Sequence, residues 1–182
     1  MKQRAALLWV AITVFPAMLL AQTHQNVSVD PGGWTKAKWG MKEKQIKAVF
    51  PQATQVKDAN GDVSLGISGY RIDPIKYTAT FGFDEGGGLT SVAFDPEEEG
   101  PRHAVAEWVK MNLLEGLTDK YRKPTQVTDD KDEDGFSSTR TWQWLFPRTR
   151  ITLTWVTHAD PDAKHLDRTY LIYSQVRPRS GL

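Results

Sequence analysis

The sequence predicts an α+β fold: two tandem repeats, each a helix followed by four strands, form one antiparallel sheet with the helices on one face. Thr-Gln-Val occurs at 54–56 and again at 125–127, each time between a helical pattern and an acidic, turn-forming cluster. The segments after each copy alternate apolar and polar residues, as strands with one buried face do. Chance is the alternative explanation of a three-residue match, so the prediction depends on the shared order of helix ends and strands.

The composition is that of a globular protein and excludes several classes of site. The chain has 182 residues, of which 40% are hydrophobic and 25% charged, enough for one domain or two small modules with a shared core. Its net charge of +1 gives no basic excess for nucleic-acid binding. The absence of cysteine excludes disulfides, thiolate metal sites and a cysteine nucleophile.

The N-terminal segment predicts export. A basic start at 1–4 precedes an apolar run at 5–21 that contains Pro16, and Ala21 offers a cleavage point. A retained membrane anchor is the alternative, but the run is short for a span of roughly 20 residues. We expect a signal peptide over 1–21, no membrane span after cleavage, and a periplasmic or secreted protein.

The first repeat is predicted over 34–96, after a flexible lead-in over 22–33. A short helix runs from about Met41 to Phe50, and Thr-Gln-Val follows as the first strand. The next segment, VSLGISGYRI, is a strand whose glycines indicate a bulge. YTATFGF and LTSVAF then form a hairpin across the glycine-rich turn DEGGG at 84–88.

The second repeat is predicted over 97–178 and begins with the longer helix. Apolar residues recur every four positions along it, with Trp108 beside the stripe. These residues are Val105, Val109, Leu113, Leu117 and Tyr121. The alternating segments TWQWLF, ITLTWV and RTYLIYSQV follow as strands.

One stretch resembles a known group of proteins. The sequence KWGMKEKQIKAVFP, in which Trp39, Gly40 and Met41 precede the first helix, is similar to the opening of exported bacterial modules of the SmpA/OmlA family and the β-lactamase-inhibitor-protein fold. That resemblance implies tandem helix-plus-four-strand halves and binding of other proteins. The chain departs from the pattern because it has no lipidation or disulfide cysteine and has Lys42 after the methionine.

An acidic segment, DKDEDGF, is the strongest candidate for a metal site. Asp130, Asp132 and Asp134 alternate before a glycine as in the first half of a calcium loop, and Ser138 offers a further oxygen. The twelfth position is Thr141 rather than glutamate, so the segment is not an EF-hand. A weak calcium site and a solvated acidic hairpin are both consistent with this pattern.

A second candidate is the loop THADPDAKHLD, where His158 and His165 lie among aspartates in a pattern that suits zinc or general-base chemistry. A tight turn is the simpler interpretation.

Aromatic residues on the strands are the third candidate. Trp108, Trp142, Trp144 and Trp155 suit a helix–sheet core, but any aromatic row on an uncovered face would bind a protein partner. The candidate residues for such a row are Trp142, Trp144, Tyr77, Tyr170 and Tyr173.

Two classes of function follow. The favoured one is an exported, non-catalytic binding module (an envelope assembly factor, a scaffold or an inhibitor-like protein) that binds another exported or envelope protein through an exposed sheet face. The alternatives are a small metal-dependent hydrolase that uses His158 and His165, and a calcium-stabilised extracellular module. The sequence predicts no other cofactor.

Overall fold

The structure, a computed structural model, describes residues 29–57, 61, 63–72, 75–97, 103–133, 136–158 and 167–177. The predicted signal peptide lies outside this range, as does the lead-in up to residue 28. Within the described residues the elements are β1 (Gly33–Trp34), β2 (Ala37–Lys38), α1 (Glu43–Val49), β3 (Thr54–Lys57), β4 (Val63–Ile72), β5 (Ile75–Phe83), β6 (Leu89–Pro96), α2 (His103–Tyr121), β7 (Gln126–Lys131), β8 (Ser137–Leu145), β9 (Thr149–His158) and β10 (Arg168–Gln175).

Eight strands form one antiparallel sheet in the order β3-β4-β5-β6-β10-β9-β8-β7. The predicted α+β class with a mainly antiparallel sheet and two helices is therefore confirmed. Each helix is followed by four strands along the chain, and the two sets meet where β6 pairs with β10. The first strand of each set, β3 or β7, consequently lies at an outer edge of the sheet.

One face of the sheet, here the packed face, carries the apolar core. Residues that pair directly across antiparallel strands project from the same face, so the register places two apolar rows side by side. The first row is Leu65, Phe81, Val92, Tyr173, Ile151 and Trp144. The second row is Ile67, Ala79, Phe94, Leu171, Leu153 and Trp142. All twelve side chains are buried.

The glycine-rich features of the first half behave as predicted. The register of β4 on β5 shifts between Ile67 and Tyr70, where Gly69 has a φ of 68°, and this bulge places both flanking side chains on the packed face. The hairpin between β5 and β6 closes through hydrogen bonds between Asp84 and Gly88, in which the Gly88 amide also binds the Asp84 carboxylate at 2.9 Å.

Contacts from both helices reach the packed face. In α1 the buried side chain is Ile46, and the ring of Phe50, just after the helix, lies 5.8 Å from that of Phe81. In α2 the predicted stripe is buried at Val109, Leu113, Leu117 and Tyr121; the side chain of Val105 lies outside the described set.

Trp108 was expected in the core, and this expectation is wrong. Its side chain is 44% exposed, whereas its neighbour Val109 is buried. Successive helical residues are about 100° apart around the axis, so a side chain next to the stripe points away from the sheet.

A short N-terminal hairpin, β1–β2, also packs on this face and is held by a partly buried polar contact. The Asp30 carboxylate accepts hydrogen bonds from the Thr149 hydroxyl at 2.6 Å, the Arg148 amide at 2.6 Å and the Gly32 amide at 2.9 Å. Burial alone would raise the pKa of Asp30, but these bonds outweigh it and hold the pKa below its usual value. Asp30 thus fastens the start of the described chain to the β8–β9 turn.

The Trp-Gly-Met sequence forms the corner between this hairpin and α1. The Trp39 indole donates to the Thr149 hydroxyl at 2.9 Å. Gly40 has a φ of 83°, which favours glycine, and its amide binds the Leu89 carbonyl at 2.9 Å. The Leu89 amide in turn binds the Met41 carbonyl, so two backbone hydrogen bonds connect the corner to the start of β6.

The two Thr-Gln-Val copies lie in the two edge strands but differ in orientation. Val56 pairs with Ser64 and projects away from the packed face, where it is buried against Gly66. Val127 pairs with Trp142 and projects from the packed face, where it is 48% exposed. The two valines are equivalent in the sequence match but project from opposite faces of the sheet. The sequence match and the structural match of the two strands therefore differ by one residue.

Within the described part of the chain, no helix is both long enough and apolar enough to cross a membrane.

Candidate functional site

The second face of the sheet, here the threonine face, is rich in short polar side chains. Its central row crosses all eight strands and contains no ionisable side chain. In strand order the row is Thr54, Gly66, Thr80, Ala93, Ile172, Thr152, Gln143 and Gln126. Threonine suits a half-buried pleated surface, which explains why so many threonines alternate with the core residues of the packed face.

The next row continues this character across the second half. Tyr170, Thr154, Thr141 and Thr128 pair in succession from β10 to β7. Charged groups surround the central row, at Arg150 on one side and at Asp95, Arg168 and Asp130 on the other. The face therefore has an uncharged centre and a charged rim, the arrangement typical of protein interfaces.

Solvent reaches the centre of the threonine face. Ile172 is 38% exposed although it lies on an interior strand, and Leu145, toward one end of β8, is 41% exposed. Single exposed apolar side chains are common on protein surfaces, so Ile172 shows only that the centre of this face is open to solvent.

The dimensions of the face match those of a protein interface. Eight strands about 4.8 Å apart make the central row roughly 34 Å long, and the stretch of β8 from Thr139 to Leu145 adds about 20 Å in the strand direction. The product is on the order of 700 Å². A standard-size interface buries about 800 Å² on each partner.

The predicted aromatic row divides unequally between the two faces. Trp142, Trp144, Tyr77 and Tyr173 are all buried on the packed face, whereas Tyr170 is partly exposed on the threonine face. Burial raises the pKa of Tyr77 to about 12. Burial, with Tyr121 close by, also raises the pKa of Tyr173. These four residues thus stabilise the core, and the threonine face displays small residues in place of the expected aromatic row.

The acidic hairpin does not bring its described oxygens together. Asp130 pairs with Thr139 and projects from the threonine face, but Ser138 projects from the packed face and bonds the Thr157 hydroxyl at 2.6 Å. The Asp132 carboxylate accepts the Ser137 amide at 3.0 Å, which closes the turn. Asp134 lies outside the described residues. Among the described residues, no group of three or more acidic, histidine or cysteine side chains could hold a metal.

A hollow of about 400 Å³ lies beside this hairpin. Its lining is Asp129, Asp130, Lys131, Ser138, Thr139, Arg140 and Trp155. The Arg140 guanidinium binds Asp129 through two hydrogen bonds of 2.5 and 2.9 Å, which lower the pKa of the carboxylate. A carboxylate with a lowered pKa is a weak base, so this ion pair does not suit general-base chemistry.

The histidine–aspartate loop lies mostly outside the described residues, and His165 is among the residues left out. His158 ends β9, where its amide contacts the Asp167 carboxylate at 3.4 Å. Asp167 is buried just before β10 and links the two strand ends. The predicted pairing of His158 with His165 stays a prediction.

Comparison with known proteins adds no family to this description. No family model, no curated protein and no solved structure matches the chain.

Proposed function

We propose that the protein is an exported, non-catalytic binding module that docks another exported or envelope protein on its threonine face. The observation that carries this proposal is the continuous uncharged row across eight strands, with Ile172 exposed near its centre. The helices contact the packed face through Phe81 and Tyr173. On the threonine face Thr152, Thr154 and Thr141 are partly exposed, whereas Thr80 is buried.

The finer architecture belongs to the same proposal. We propose that the chain consists of two helix-plus-four-strand repeats whose last strands, β6 and β10, join them into one sheet. The order of elements and the mirrored order of strands support it. Two repeats with the same order of helix and strands do not require the Thr-Gln-Val residues to have equivalent orientations, so the opposite orientation of Val56 and Val127 does not contradict the proposal. The expectation from the Trp-Gly-Met resemblance, binding of other proteins, points the same way.

The uncharged centre favours a flat protein partner over a small ligand. Small-molecule sites are usually concave and apolar with few polar groups, whereas the threonine face is a broad layer of hydroxyl, amide and small apolar groups. Its hydroxyls and amides can exchange hydrogen bonds from water to a partner, and its small side chains permit close approach of a second backbone.

Site-specific photo-crosslinking in cells tests the proposal. A photo-reactive residue at position 172 is compared with one at position 111, where Met111 is exposed on α2. We expect a defined adduct from position 172 that disappears when Thr152→Arg places a charge in the central row. The same adduct from both positions, or an adduct that Thr152→Arg leaves intact, would remove the threonine face as the docking surface.

Export is tested separately. We expect a C-terminally tagged chain to reach the periplasm or medium with an N-terminus near Gln22. A cytoplasmic full-length product would contradict export and leave the binding surface itself to be assessed by crosslinking.

A further inference from the structure

One end of the domain, here the basic end, collects exposed cationic side chains. At this end α2 and β10 finish, β8 turns into β9, and the β5–β6 turn lies beside them. The exposed basic residues described there include Lys38, Lys42, Lys57, Arg122, Lys123, Arg148, Arg150 and Arg177.

Backbone and side-chain contacts bring these residues to one end although they are distant in sequence. The Lys42 ammonium binds the Gly86 carbonyl in the β5–β6 turn, and Arg177 pairs with Asp84 of that turn at 3.4 Å. The Val176 amide binds the Arg148 carbonyl at 3.0 Å, which joins the end of β10 to the β8–β9 turn.

The end of α2 is fixed at the same place. The Trp144 indole, near the end of β8, donates to the Arg122 carbonyl at 2.7 Å. Lys123 follows directly on the surface.

Several of the described carboxylates at the basic end are engaged by other groups. Asp30 accepts three hydrogen bonds within the domain, Asp84 binds Gly88 and Arg177, and Glu43 pairs with Lys47 at 2.6 Å. Glu85 on the β5–β6 turn and Asp119 near the end of α2 are exposed. Among the described residues at this end, the exposed basic side chains still outnumber the exposed carboxylates, so they present a net positive field to solvent.

The opposite end of the sheet carries both signs of charge. Among the described residues, the exposed carboxylates there are Glu97, Asp129, Asp130, Asp132 and Glu133, and the exposed basic side chains are Arg71, Lys76, Lys131, Arg140 and Arg168. The described basic excess therefore lies at the basic end alone, which favours that end in front of a negatively charged surface.

The basic end also displays apolar groups and contains the first described residues, Val29 and Asp30. Val29 is 82% exposed next to Asp30, and Leu145 is exposed at the end of β8. The Asp30 contacts hold the start of the described chain beside Arg148.

We propose that the basic end docks on the surface of an anionic lipid bilayer. Lysine and arginine near an anionic bilayer each contribute about 1 kcal/mol, and partly inserted apolar side chains add to this. In that orientation the opposite end, where acidic and basic side chains are mixed, points away from the bilayer. The threonine face then stands at an angle to the membrane and stays accessible, so this inference does not depend on the proposed protein partner.

Vesicle co-sedimentation tests the proposal, with the chain from Gln22 onward, which retains every described residue. We expect binding to phosphatidylcholine vesicles that contain phosphatidylglycerol and none to phosphatidylcholine alone. Raising the salt from about 0.1 M to about 1 M, which shortens the screening length from about 10 to about 3 Å, should abolish it.

A matched pair of double variants locates the surface. The variant Lys123→Glu with Arg148→Glu changes the basic end, and the variant Lys76→Glu with Lys131→Glu makes the same change of charge at the opposite end. We expect the first to weaken binding at least about 30-fold, as the loss of two lysine or arginine contacts implies, and the second to leave it unchanged. Lys123→Gln with Arg148→Gln, checked by circular dichroism, separates loss of charge from loss of fold.

Several outcomes would overturn the proposal. These are binding to neutral vesicles, equal loss in both double variants, no binding of the wild-type chain, displacement by inorganic phosphate at constant ionic strength, and equally tight binding to nucleic acid. Phosphate displacement would indicate a site for the free anion, and nucleic-acid binding would indicate an unspecific polyanion surface.

Discussion

Replacing Trp34 by alanine tests how the N-terminal hairpin contributes to the core. Trp34 is 6% exposed, and its ring lies 5.4 Å from Phe50, 5.1 Å from Tyr70, 6.2 Å from Phe81 and 5.1 Å from Phe94. It therefore joins the β1–β2 hairpin, the end of α1 and three strands of the first half.

The expected cost follows from these contacts. Truncation of a buried tryptophan to alanine destabilises a domain by about 3–5 kcal/mol, and aromatic pairs contribute about 0.5–1.5 kcal/mol beyond the buried area. Since Trp34 has four aromatic neighbours, we expect Trp34→Ala to lie in the upper half of that range. Trp108→Ala is the matched control, because Trp108 is 44% exposed, and we expect it to cost about 1 kcal/mol or less.

Urea denaturation followed by far-ultraviolet circular dichroism measures both variants without depending on tryptophan fluorescence. Equal costs for the two variants, or a Trp34→Ala protein within about 1 kcal/mol of the wild type, would refute the reasoning. In the second case the hairpin would detach without unfolding the sheet, and hydrogen exchange would show its amides exchanging before those of β5 and β6.

Three further predictions follow from single sites. Asp30→Asn should destabilise the protein near neutral pH, because the pKa of Asp30 is lowered in the folded state. The loss of stability should become smaller as the pH falls below about 4, where the wild-type carboxylate is protonated as well. Denaturation at several pH values measures this, and a loss that does not change with pH would contradict the prediction. Tyr77 should ionise near pH 12, so the ionisation step near that pH should be missing when Tyr77→Phe is titrated with alkali and followed by absorbance. Because the pKa of Tyr77 is raised in the folded state, its contribution to stability should be lost as the pH rises through that value. Millimolar calcium should leave the melting temperature unchanged, since Asp130 and Ser138 project from opposite faces of the sheet. A rise in melting temperature that a chelator reverses and that Asp132→Asn abolishes would instead support a calcium site in this hairpin.

The candidate site was only partly predictable, because alternation shows that a strand has two faces without showing which face another element covers. In TWQWLF, Trp142 and Trp144 share a face by spacing alone. That this face is the covered one depends on α2: the carbonyl of Arg122, the residue just after the helix, accepts a hydrogen bond from the Trp144 indole. The same ambiguity explains why Tyr170 and Tyr173 were grouped, although three positions apart on a strand they project from opposite faces.

Polar contacts between distant residues were beyond prediction for a different reason. Asp30 and Thr149 are 119 residues apart, and neither belongs to a local pattern that indicates a partner. The two-residue strands β1 and β2 are likewise too short to show any periodicity. The basic end arises in the same way, from strand ends that meet once the sheet is assembled.

By itself the sequence determined the local elements: the four-residue stripe of α2, the bulge at Gly69, the turn at 84–88 and the alternating strands follow from backbone geometry and spacing within a few residues. The tertiary structure alone decided that β6 pairs with β10, that Val56 and Val127 turn to opposite faces, and that threonines rather than aromatic residues occupy the exposed face. The physical reason is that strand pairing and helix docking depend on the burial gained by the whole sheet. The free energy of that burial depends on contacts among residues far apart in the chain, so strand pairing and helix docking cannot be predicted from any short segment.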